Sequence, residues 1–505
     1  MNTEQTQALQ AILQGRNVFL TGQGGTGKSF LIRKIADSFK ENGKILAITA
    51  TTGCAALLLG EGAKTIFSWA GVGIGEDPVG MLIHMAKRSK KALARWQDTH
   101  ALIIDETSMM TAELFEKLDA IAKNLRGNQL PFGGIQIILV GDFYQLPPVT
   151  KGSDQVKFVF ESRLWSETIN HIVELKQIMR QADPVFQKIL SEAREGYLSP
   201  ESHAILKGRM GLPWQKEKIR PSLLFTRRSE VDFINISNLK ALKGERHTFS
   251  ATTKYSAVAT NKKDTEAVQK AIAKLDREAA YTAELTLAVD AQVMLIKNID
   301  IETGLVNGSR GVITGFGPGP LYEPNVLFKG RSHPVPISTH DWDVDDGAVK
   351  GVKRSQIPLV LAYAITIHKS QGSTLDCALV DISASTFEYG QAYVAMSRAK
   401  SLESLYVHDI DPKAIRAHPK VTAFYKGIKP MDLEHMMANM SLQTKPQAKL
   451  ELQPKPEPQT NPNSMDQYLL KKKPTDMDSM EIRLPGDDTQ YYVVLNNMKK
   501  RKVSI

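Results

Sequence analysis

Cysteine is nearly missing from this chain, which has two in 505 residues, Cys54 and Cys377. They lie far apart and neither belongs to a C-x-x-C pair, which argues against a disulfide framework and against a structural zinc site. A reducing compartment follows. Long hydrophobic runs are missing too. No run of about eighteen apolar residues occurs and the N-terminal stretch lacks a charged-then-apolar leader, so neither a membrane span nor a secretory signal is expected. Nor is there an acidic balance: Lys+Arg 64 against Asp+Glu 54 gives a formal net charge of +10. Residues 431–505 hold eleven Lys/Arg against ten Asp/Glu, which leaves about +9 in residues 1–430. A basic body favours a polyanionic partner, most simply nucleic acid; the plainer alternative is a basic surface kept for solubility.

What is present is an ordinary globular composition, 42% apolar and 23% charged, in a chain too long for one compact core and suited to two to four domains. Its organising stretch is Thr21-Gly22-Gln23-Gly24-Gly25-Thr26-Gly27-Lys28-Ser29. The apolar run Asn17–Leu20 leads in and a helical pattern, Phe30 to Phe39, leads out. Gly22, Gly24, Gly25, Thr26 and Gly27 form a loop whose backbone N–H groups can approach phosphate oxygens. Lys28 suits the β/γ-phosphates and the Ser29 hydroxyl suits Mg²⁺. The following helix aims its partial positive end at the same place. A purely structural glycine turn is the alternative, and the flanking strand and helix count against it.

Strand-like runs recur at Val18–Leu20, Ile45–Thr49, Ala101–Asp105 and Ile135–Gly141, separated by helical patterns or loops. This alternation predicts a parallel sheet with crossover helices, an α/β domain over 1–170. A second α/β domain, 171–255 and 356–430, is predicted from Ser222–Thr226, Leu359–Thr366, Ala378–Ile382 and Leu405–His408. Between its halves, 256–355 shows short apolar runs broken by Gly-Pro-Gly-Pro at 317–320, as expected for a small antiparallel β-barrel. Residues 431–505, with five prolines between Pro446 and Pro462, read as a disordered tail. Near its end Met480–Leu484 and Tyr491–Leu495 flank a turn sequence and could pair as a hairpin, marginal in water by itself.

The run Ala101–Ile104 ends in Asp105-Glu106, two carboxylates at the C-terminal end of a strand, where ligands sit in open α/β sheets. Asp105 can hold Mg²⁺ directly or through water, and Glu106 can take a proton from an attacking water. The pair could instead cap a following helix. Gln145, after the strand that ends at Gly141, is a candidate γ-phosphate sensor, a neutral amide able to switch partners when the phosphate leaves. Far downstream, Ile367–Thr374 and Ala395-Met396-Ser397-Arg398-Ala399 are polar and hydroxyl-rich. An arginine brought from a second domain to the γ-phosphate would make hydrolysis depend on cleft closure. A surface salt bridge is the plain alternative for Arg398.

In order, Gly22–Ser29, Asp105–Met109, Pro131–Gln136, Gly141–Val149, Met179–Asp183, Leu305–Gly311, His368–Thr374 and Gln391–Arg398 resemble the motif series of the petite-integration-frequency (Pif-type) DNA helicases. These form part of the five-prime-to-three-prime branch of helicase superfamily one. The resemblance spans about residues 3–428, is specific around Glu113–Val149, and leans towards eukaryotic members. It implies two RecA-like P-loop motor domains with ATP and Mg²⁺ between them, a small wedge insertion at about 60–95 in the first, and a β-barrel inserted in the second. By motif match Gln5 would recognise adenine, Lys28 and Ser29 the phosphates and metal, Asp105 and Glu106 the metal and water, and Gln145 the γ-phosphate. Arg180 and Arg398 would be arginine fingers. Thr52, Gly53, Phe67, Ser68, His368 and Lys369 fall where the family contacts single-stranded DNA. Hydroxyls, backbone N–H groups and a lysine can grip such a backbone without reading sequence. Two departures touch this track: Phe67 stands where histidine is usual and Thr51 where proline is common. Phe67 could stack on a base or belong to the core.

The expectation is therefore an ATP-dependent DNA helicase that moves five-prime to three-prime on single-stranded DNA and opens duplexes with single-stranded tails. The resemblance extends the substrates to G-quadruplex DNA and RNA–DNA hybrids, and the setting to replication, repair, recombination or telomere maintenance. The rival reading is a nucleic-acid-stimulated translocase that remodels protein–DNA complexes without separating strands. A metabolic P-loop kinase would need a small-molecule acceptor site, which neither Arg398 nor the basic body suggests. In the tail, Gln467–Leu470 is a weak candidate for docking on a sliding clamp, with a solvated linker as the plainer reading. Lys499–Lys502 reads either as a nuclear-import signal or as a solvated charge run; mitochondria or a cytoplasmic or viral replication site are alternative locations.

Overall fold

The computed structural model describes residues 1–428, except 61, 149–156, 214–218, 257–264, 280, 301–302, 345–350 and 384–385, together with 480–482 and 491–493. Its first half is built on six strands, β1 (Val18–Gly22), β2 (Leu46–Ala50), β3 (Lys64–Thr65), β4 (Ala101–Asp105), β5 (Gln136–Gly141) and β6 (His171–Leu175). They lie in the order β3-β2-β4-β5-β1-β6, every pairing parallel. Both β1 and β4 are buried along their whole length, which is why they read as unbroken apolar runs and not as alternating ones. Alternation is still used, but to serve two cores. Val18, Leu20, Ile103 and Ile138 face a cluster shared with Ile12, Leu31 and Ile35 of the helices Thr3–Leu13 and Lys28–Glu41. Phe19, Leu102, Ile104 and Leu139 face one shared with Phe115, Leu118 and Ile121 of the helix Ala112–Arg126.

Two of these strands, β3 and β6, went unseen in the sequence. One is a two-residue edge, and the other, His171-Ile-Val-Glu-Leu175, mixes polar and apolar residues because it closes the opposite edge. Residues 60–95, expected as a wedge, contribute β3 and the helices Ile66–Ala70 and Val79–Arg88, and the helix Lys90–Asp98 starts within them. Leu82, Ala86 and Trp96 of this segment and its helix are buried in the core beneath the sheet, so it is fastened to the first sheet.

The second half opens with β7 (Ser222–Phe225) and continues through β8 (Arg246–Ser250), β9 (Thr252–Tyr255), β10 (Glu284–Ala288), β11 (Gln292–Leu295), β12 (Arg310–Phe316), β13 (Pro324–Phe328), β14 (Val335–Pro336), β15 (His340–Asp343), β16 (Val352–Gln356) and β17 (Leu359–Leu361). It ends with β18 (Ala364–Thr366), β19 (Ala378–Ile382) and β20 (Leu405–Ile410). A parallel sheet, β18-β7-β19-β20, joins the first strand to the last three. The strands between are antiparallel: a five-stranded sheet β14-β13-β12-β11-β17, a three-stranded sheet β15-β16-β9 and the pair β10-β8. Leu285 and Leu287 of β10, Val293 and Leu295 of β11, and Ile313, Val326 and Phe328 share one core, as a small barrel requires.

Two boundaries differ from expectation. The inserted strands run from Arg246 to Leu361, beyond 256–355 at both ends. The apolar run Leu359–Thr366, expected as one strand, is two: Leu359–Leu361 pairs antiparallel with β11 and Ala364–Thr366 pairs parallel with β7. The chain changes sheets at Ala362, whose carbonyl accepts hydrogen bonds from Ser222 Oγ (2.8 Å) and Gln292 Nε2 (3.0 Å). A short apolar run carries no mark of which sheet it will join.

Beyond residue 432 the chain forms a separate unit, in which Met480–Ile482 pairs antiparallel with Tyr491–Val493. The Pro-rich stretch, Gln467–Leu470 and Lys499–Lys502 lie outside the described residues. No helix among the described residues is long and apolar enough to cross a membrane.

Candidate functional site

The C-terminal ends of β1, β4 and β5 lie side by side, and the loops that leave them build one wall of a cavity of about 280 Å³. From β1 comes the glycine loop. Gly25 and Gly27 both have φ of +91°, and a Cβ on either would come within 2.7 Å of a neighbour, Arg180 Cβ and Gln5 Nε2 respectively. Backbone shape disfavours larger residues at both, and at Gly25 space does as well. Gly27 starts the helix Lys28–Glu41 with no side-chain cap, so the first-turn N–H groups are left for a ligand. Lys28 Nζ donates to the carbonyls of Gly22 (2.6 Å) and Gln23 (3.1 Å) of its own loop. Burial lowers its pKa, against the pull of Asp142, Glu106 and Asp105.

From β4 come the two carboxylates. Asp105 Oδ1 accepts the Glu106 N–H at 2.8 Å, and burial, with Glu106 beside it, pushes the Asp105 pKa up to about 7. Glu106 itself sits at φ 54°, ψ 43°, the left-handed region, which costs a residue with a Cβ about 1 kcal/mol or more. The conformation is held from both sides: Thr51 Oγ1 donates to the Glu106 carbonyl (2.9 Å) and Gln371 Nε2 to its carboxylate (2.9 Å). From β5 comes Gln145, buried, its Oε1 without a hydrogen-bond partner among the described residues.

The opposite wall is made by Arg398 of the second half and by Arg180, which follows β6 and whose backbone N–H bonds the Gly25 carbonyl at 3.2 Å. Arg180 and Arg398 line the same cavity as Lys28, Ser29, Asp105, Glu106 and Gln145. Arg398 is buried, and its guanidinium donates to the carbonyls of Val394 (2.9 Å) and Ser373 (3.1 Å) and to Ser397 Oγ (2.7 Å). Burial and then the charge of Arg180 lower its pKa to about 10; burial lowers that of Arg180 as well. Two guanidiniums and an ammonium thus converge on one cavity, an arrangement that a polyphosphate would relieve. The surface salt bridge that would have explained Arg398 is not what the side chain makes. Ser29 and Asp105 both line this cavity, and two such oxygen donors suffice for a hard cation that keeps waters and binds phosphate oxygens. No group of three or more His, Cys, Asp or Glu side chains among the described residues is arranged to hold a metal without that help.

Gln5 stands apart from the cavity wall. Its Oε1 accepts the Asn2 N–H (3.1 Å) in a capping box that starts the first helix, and its Nε2 reaches the Thr26 carbonyl (3.4 Å) behind the loop. Gly22 and Thr26 likewise shape the loop from behind, Thr26 Oγ1 bonding the Gln23 carbonyl at 2.9 Å.

The residues expected to meet DNA lie at helix starts. Thr52 Oγ1 caps the helix Gly53–Leu59, and Thr366 Oγ1 caps the helix Ile367–Ser370 that carries His368 and exposed Lys369. The two helices are neighbours: the Lys369 charge acts on the Cys54 thiol, and a Cβ on Gly372 would lie 3.0 Å from Leu58. Burial lowers the His368 pKa, so its ring is neutral near pH 7. Ser68 and Phe67 sit on the helix Ile66–Ala70, where Phe67 is half-buried against the first core. The packing fits the core reading and leaves part of the ring exposed.

One constellation was missed. Asp142, fully buried, receives Arg194 through Nε and Nη2, each at 3.0 Å, and the hydroxyls of Tyr425 (3.3 Å) and Tyr393 (3.4 Å). The Arg194 guanidinium lies over the rings of Tyr144 (4.6 Å) and Tyr425 (5.1 Å). Tyr425 Oη also meets Thr21 Oγ1 at 2.6 Å, under the glycine loop. Asp142, Gln371 and Tyr393 lay within recognisable motifs without a role. Arg194 and Tyr425, on the helices Pro184–Glu195 and Pro419–Gly427, carried no signal, because nothing local marks a side chain whose partner is distant in sequence.

Comparison with known proteins adds the family. A family model described as PIF1-like helicase matches residues 1–199, one described as the 2B domain of DNA helicase Pif1 matches 274–316, and one described as a UvrD-like helicase C-terminal domain matches 361–406. The ATP-dependent DNA helicase PIF1 of Danio rerio is 42% identical over 429 residues, which is 85% of this chain and 64% of that protein. The chain thus spans about 64% of that relative's length. The crystal structure of Pif1 helicase from Candida albicans matches with a TM-score of 0.70 and 38% identity, over 85% of this chain and 99% of that one. Bacteroides Pif1 helicase, solved in complex with ADP-AlF3 and single-stranded DNA, matches with a TM-score of 0.57 and 26% identity, over 88% and 98%. With a solved relative 38% identical and covered almost end to end, the chain belongs to the PIF1-like helicase family.

Proposed function

We propose that this chain is an ATP-dependent DNA helicase that moves five-prime to three-prime along single-stranded DNA and separates strands ahead of it. The observation that carries the reading is the single cavity in which Lys28, Ser29 and Asp105 of the first sheet face Arg398 of the second half, with Arg180, after β6, reaching across to the Ser397 carbonyl. The glycine loop and Lys28 bind the phosphates, Ser29 and Asp105 hold Mg²⁺, and Glu106, steadied by Gln371, accepts the proton of the attacking water. Mg²⁺ supplies charge neutralisation at the phosphate oxygens. Gln145, with its carbonyl oxygen unpaired, is the residue that reads the terminal phosphate, and Arg180 and Arg398 stabilise the charge that develops on it. Gln5, behind the loop, is the adenine-side residue by motif match alone.

Hydrolysis then depends on two walls meeting, and their parting and closing is the motion that a motor needs. Thr52, Gly53, Ser68, His368 and Lys369 provide the grip on the sugar-phosphate backbone, Thr52 and Gly53 moving with the first sheet, His368 and Lys369 with the second. A Bacteroides relative solved with ADP-AlF3 and single-stranded DNA supports both ligand classes. Duplexes with single-stranded tails are the proposed substrates, and G-quadruplex DNA and RNA–DNA hybrids are further ones. The nuclear address and the clamp contact are proposals of the tail alone, tested together by deleting 431–505 and following location and clamp binding.

The deciding experiment is strand displacement on duplexes with a five-prime or a three-prime single-stranded tail, in Mg²⁺ and ATP. Opening of the five-prime-tailed substrate alone is expected, and opening of the three-prime-tailed one alone would overturn the polarity. DNA-stimulated ATP hydrolysis with no opening of bare duplex would instead favour a translocase that remodels protein–DNA complexes.

A further inference from the structure

The buried hydroxyl of Tyr393 touches the glycine loop. It accepts the Gly24 N–H at 2.8 Å and lies 3.4 Å from Asp142 Oδ2, to which it can donate. Burial, with Asp142 beside it, raises the Tyr393 pKa, so the phenol stays protonated and can do both at once. Tyr393 lies on the short helix Gln391–Met396, and Arg398 follows two residues after that helix ends. Arg398 is tied back to it, Nε donating to the Val394 carbonyl.

The same helix presses on the turn that carries Gln145. Its first flanking residue, Gly390, has φ of +71°, and a Cβ there would lie 2.7 Å from the Gln145 carbonyl oxygen. One rigid element therefore meets the glycine loop through Tyr393, meets the Gln145 turn through Gly390, and delivers Arg398 to the cavity between them. Of these contacts, the Tyr393 hydroxyl is the one a single oxygen atom makes.

We propose that Tyr393 is a positioning residue: its hydroxyl, bridging the Gly24 N–H and the Asp142 carboxylate, sets the register of the Arg398 helix against the phosphate loop. This rests on the hydrolase reading for its consequence but not for its geometry. A hydrogen bond of this kind, lost only when the cleft opens, is worth most where the two walls must meet to a fraction of an ångström.

The test is Tyr393→Phe in the full chain, read by three measurements. Hydrogen–deuterium exchange of the peptide holding Gly22–Thr26 should quicken at one amide, since Gly24 loses its acceptor. In steady state, kcat for DNA-stimulated ATP hydrolysis should fall about tenfold, the worth of one hydrogen bond made in the closed state, while ADP affinity changes less than about twofold. Tyr363→Phe is the control: its hydroxyl also accepts a backbone N–H, that of Gln292 at 3.1 Å, but among the inserted strands and away from the cavity lining. It should keep kcat within about twofold even if the thermal midpoint falls.

Unchanged exchange in Tyr393→Phe overturns the contact. Faster exchange with unchanged kcat overturns the positioning role, and so does an equal fall of kcat in Tyr363→Phe, which would mean general loosening. If the unaltered chain hydrolyses no ATP, the hydrolase reading fails, and with it the consequence drawn for kcat, while the exchange measurement still decides the contact.

Discussion

The candidate nucleotide cleft and the candidate nucleic-acid strip are neighbours, joined where Gln371 holds Glu106 and Gly372 abuts Leu58, yet they are built in opposite ways. In the cleft, charge is buried: Asp105, Glu106 and Arg398 are each under a tenth exposed. Along the strip, the same chain offers the exposed ammonium of Lys369 and helix starts capped by Thr52 and Thr366. A compact polyphosphate concentrates enough charge to offset the burial of several ionised groups, whereas a nucleic-acid backbone spreads its charge over many shallow contacts. The lesson is that a large loss from one substitution belongs to the cleft and a small, salt-sensitive loss to the strip.

That contrast can be broken at five points. Lys28→Ala should reduce DNA-stimulated ATP hydrolysis by more than about 10³-fold, since it removes the ammonium that faces the phosphates; normal turnover in a phosphate-release assay would refute the cleft assignment. Arg398→Ala should lower hydrolysis about 10³-fold while fluorescent nucleotide binding persists. Equal loss of nucleotide affinity would make the residue structural. Next comes the buried ion pair. Arg194→Ala leaves the fully buried Asp142 carboxylate unpaired and should cost about 3 kcal/mol in urea unfolding, more than the double variant Arg194→Ala/Asp142→Ala. A double variant less stable than the single one would show that the pair is not what holds these elements.

The smallest effects are expected on the strip. Lys369→Ala should weaken single-stranded DNA binding by a few-fold and reduce the slope of log K against log salt by about 0.7. Phe67→Ala serves as its counterpart: a half-buried core ring should cost about 2 kcal/mol of stability and leave the salt slope alone. A large affinity loss without a stability loss would return Phe67 to the strip.

How much could be read in advance follows the same division. The loop Gly22–Ser29, the carboxylates Asp105 and Glu106, and Gln145 were legible because each sits at the end of a buried strand, so a few adjacent residues specify strand, turn and functional group together. The split of Leu359–Thr366 between two sheets was not, since pairing with β11 or β7 is decided by residues far away in sequence. Arg194 was invisible for the same reason, and Gln5, matched to a motif, turned out to spend its amide on a capping box and the back of the loop.

By itself the amino-acid sequence determined two α/β sheets, the strand-ending motifs of the first and the basic character of the body, all of which are local patterns of hydrophobicity, glycine and charge. Only the tertiary structure decided how Arg398 is held at the cavity, that Tyr393 bonds the phosphate loop, and that Asp142, Arg194 and Tyr425 lock together beneath it. Those contacts join residues up to hundreds of positions apart, and close packing, which no local pattern encodes, is what selects them.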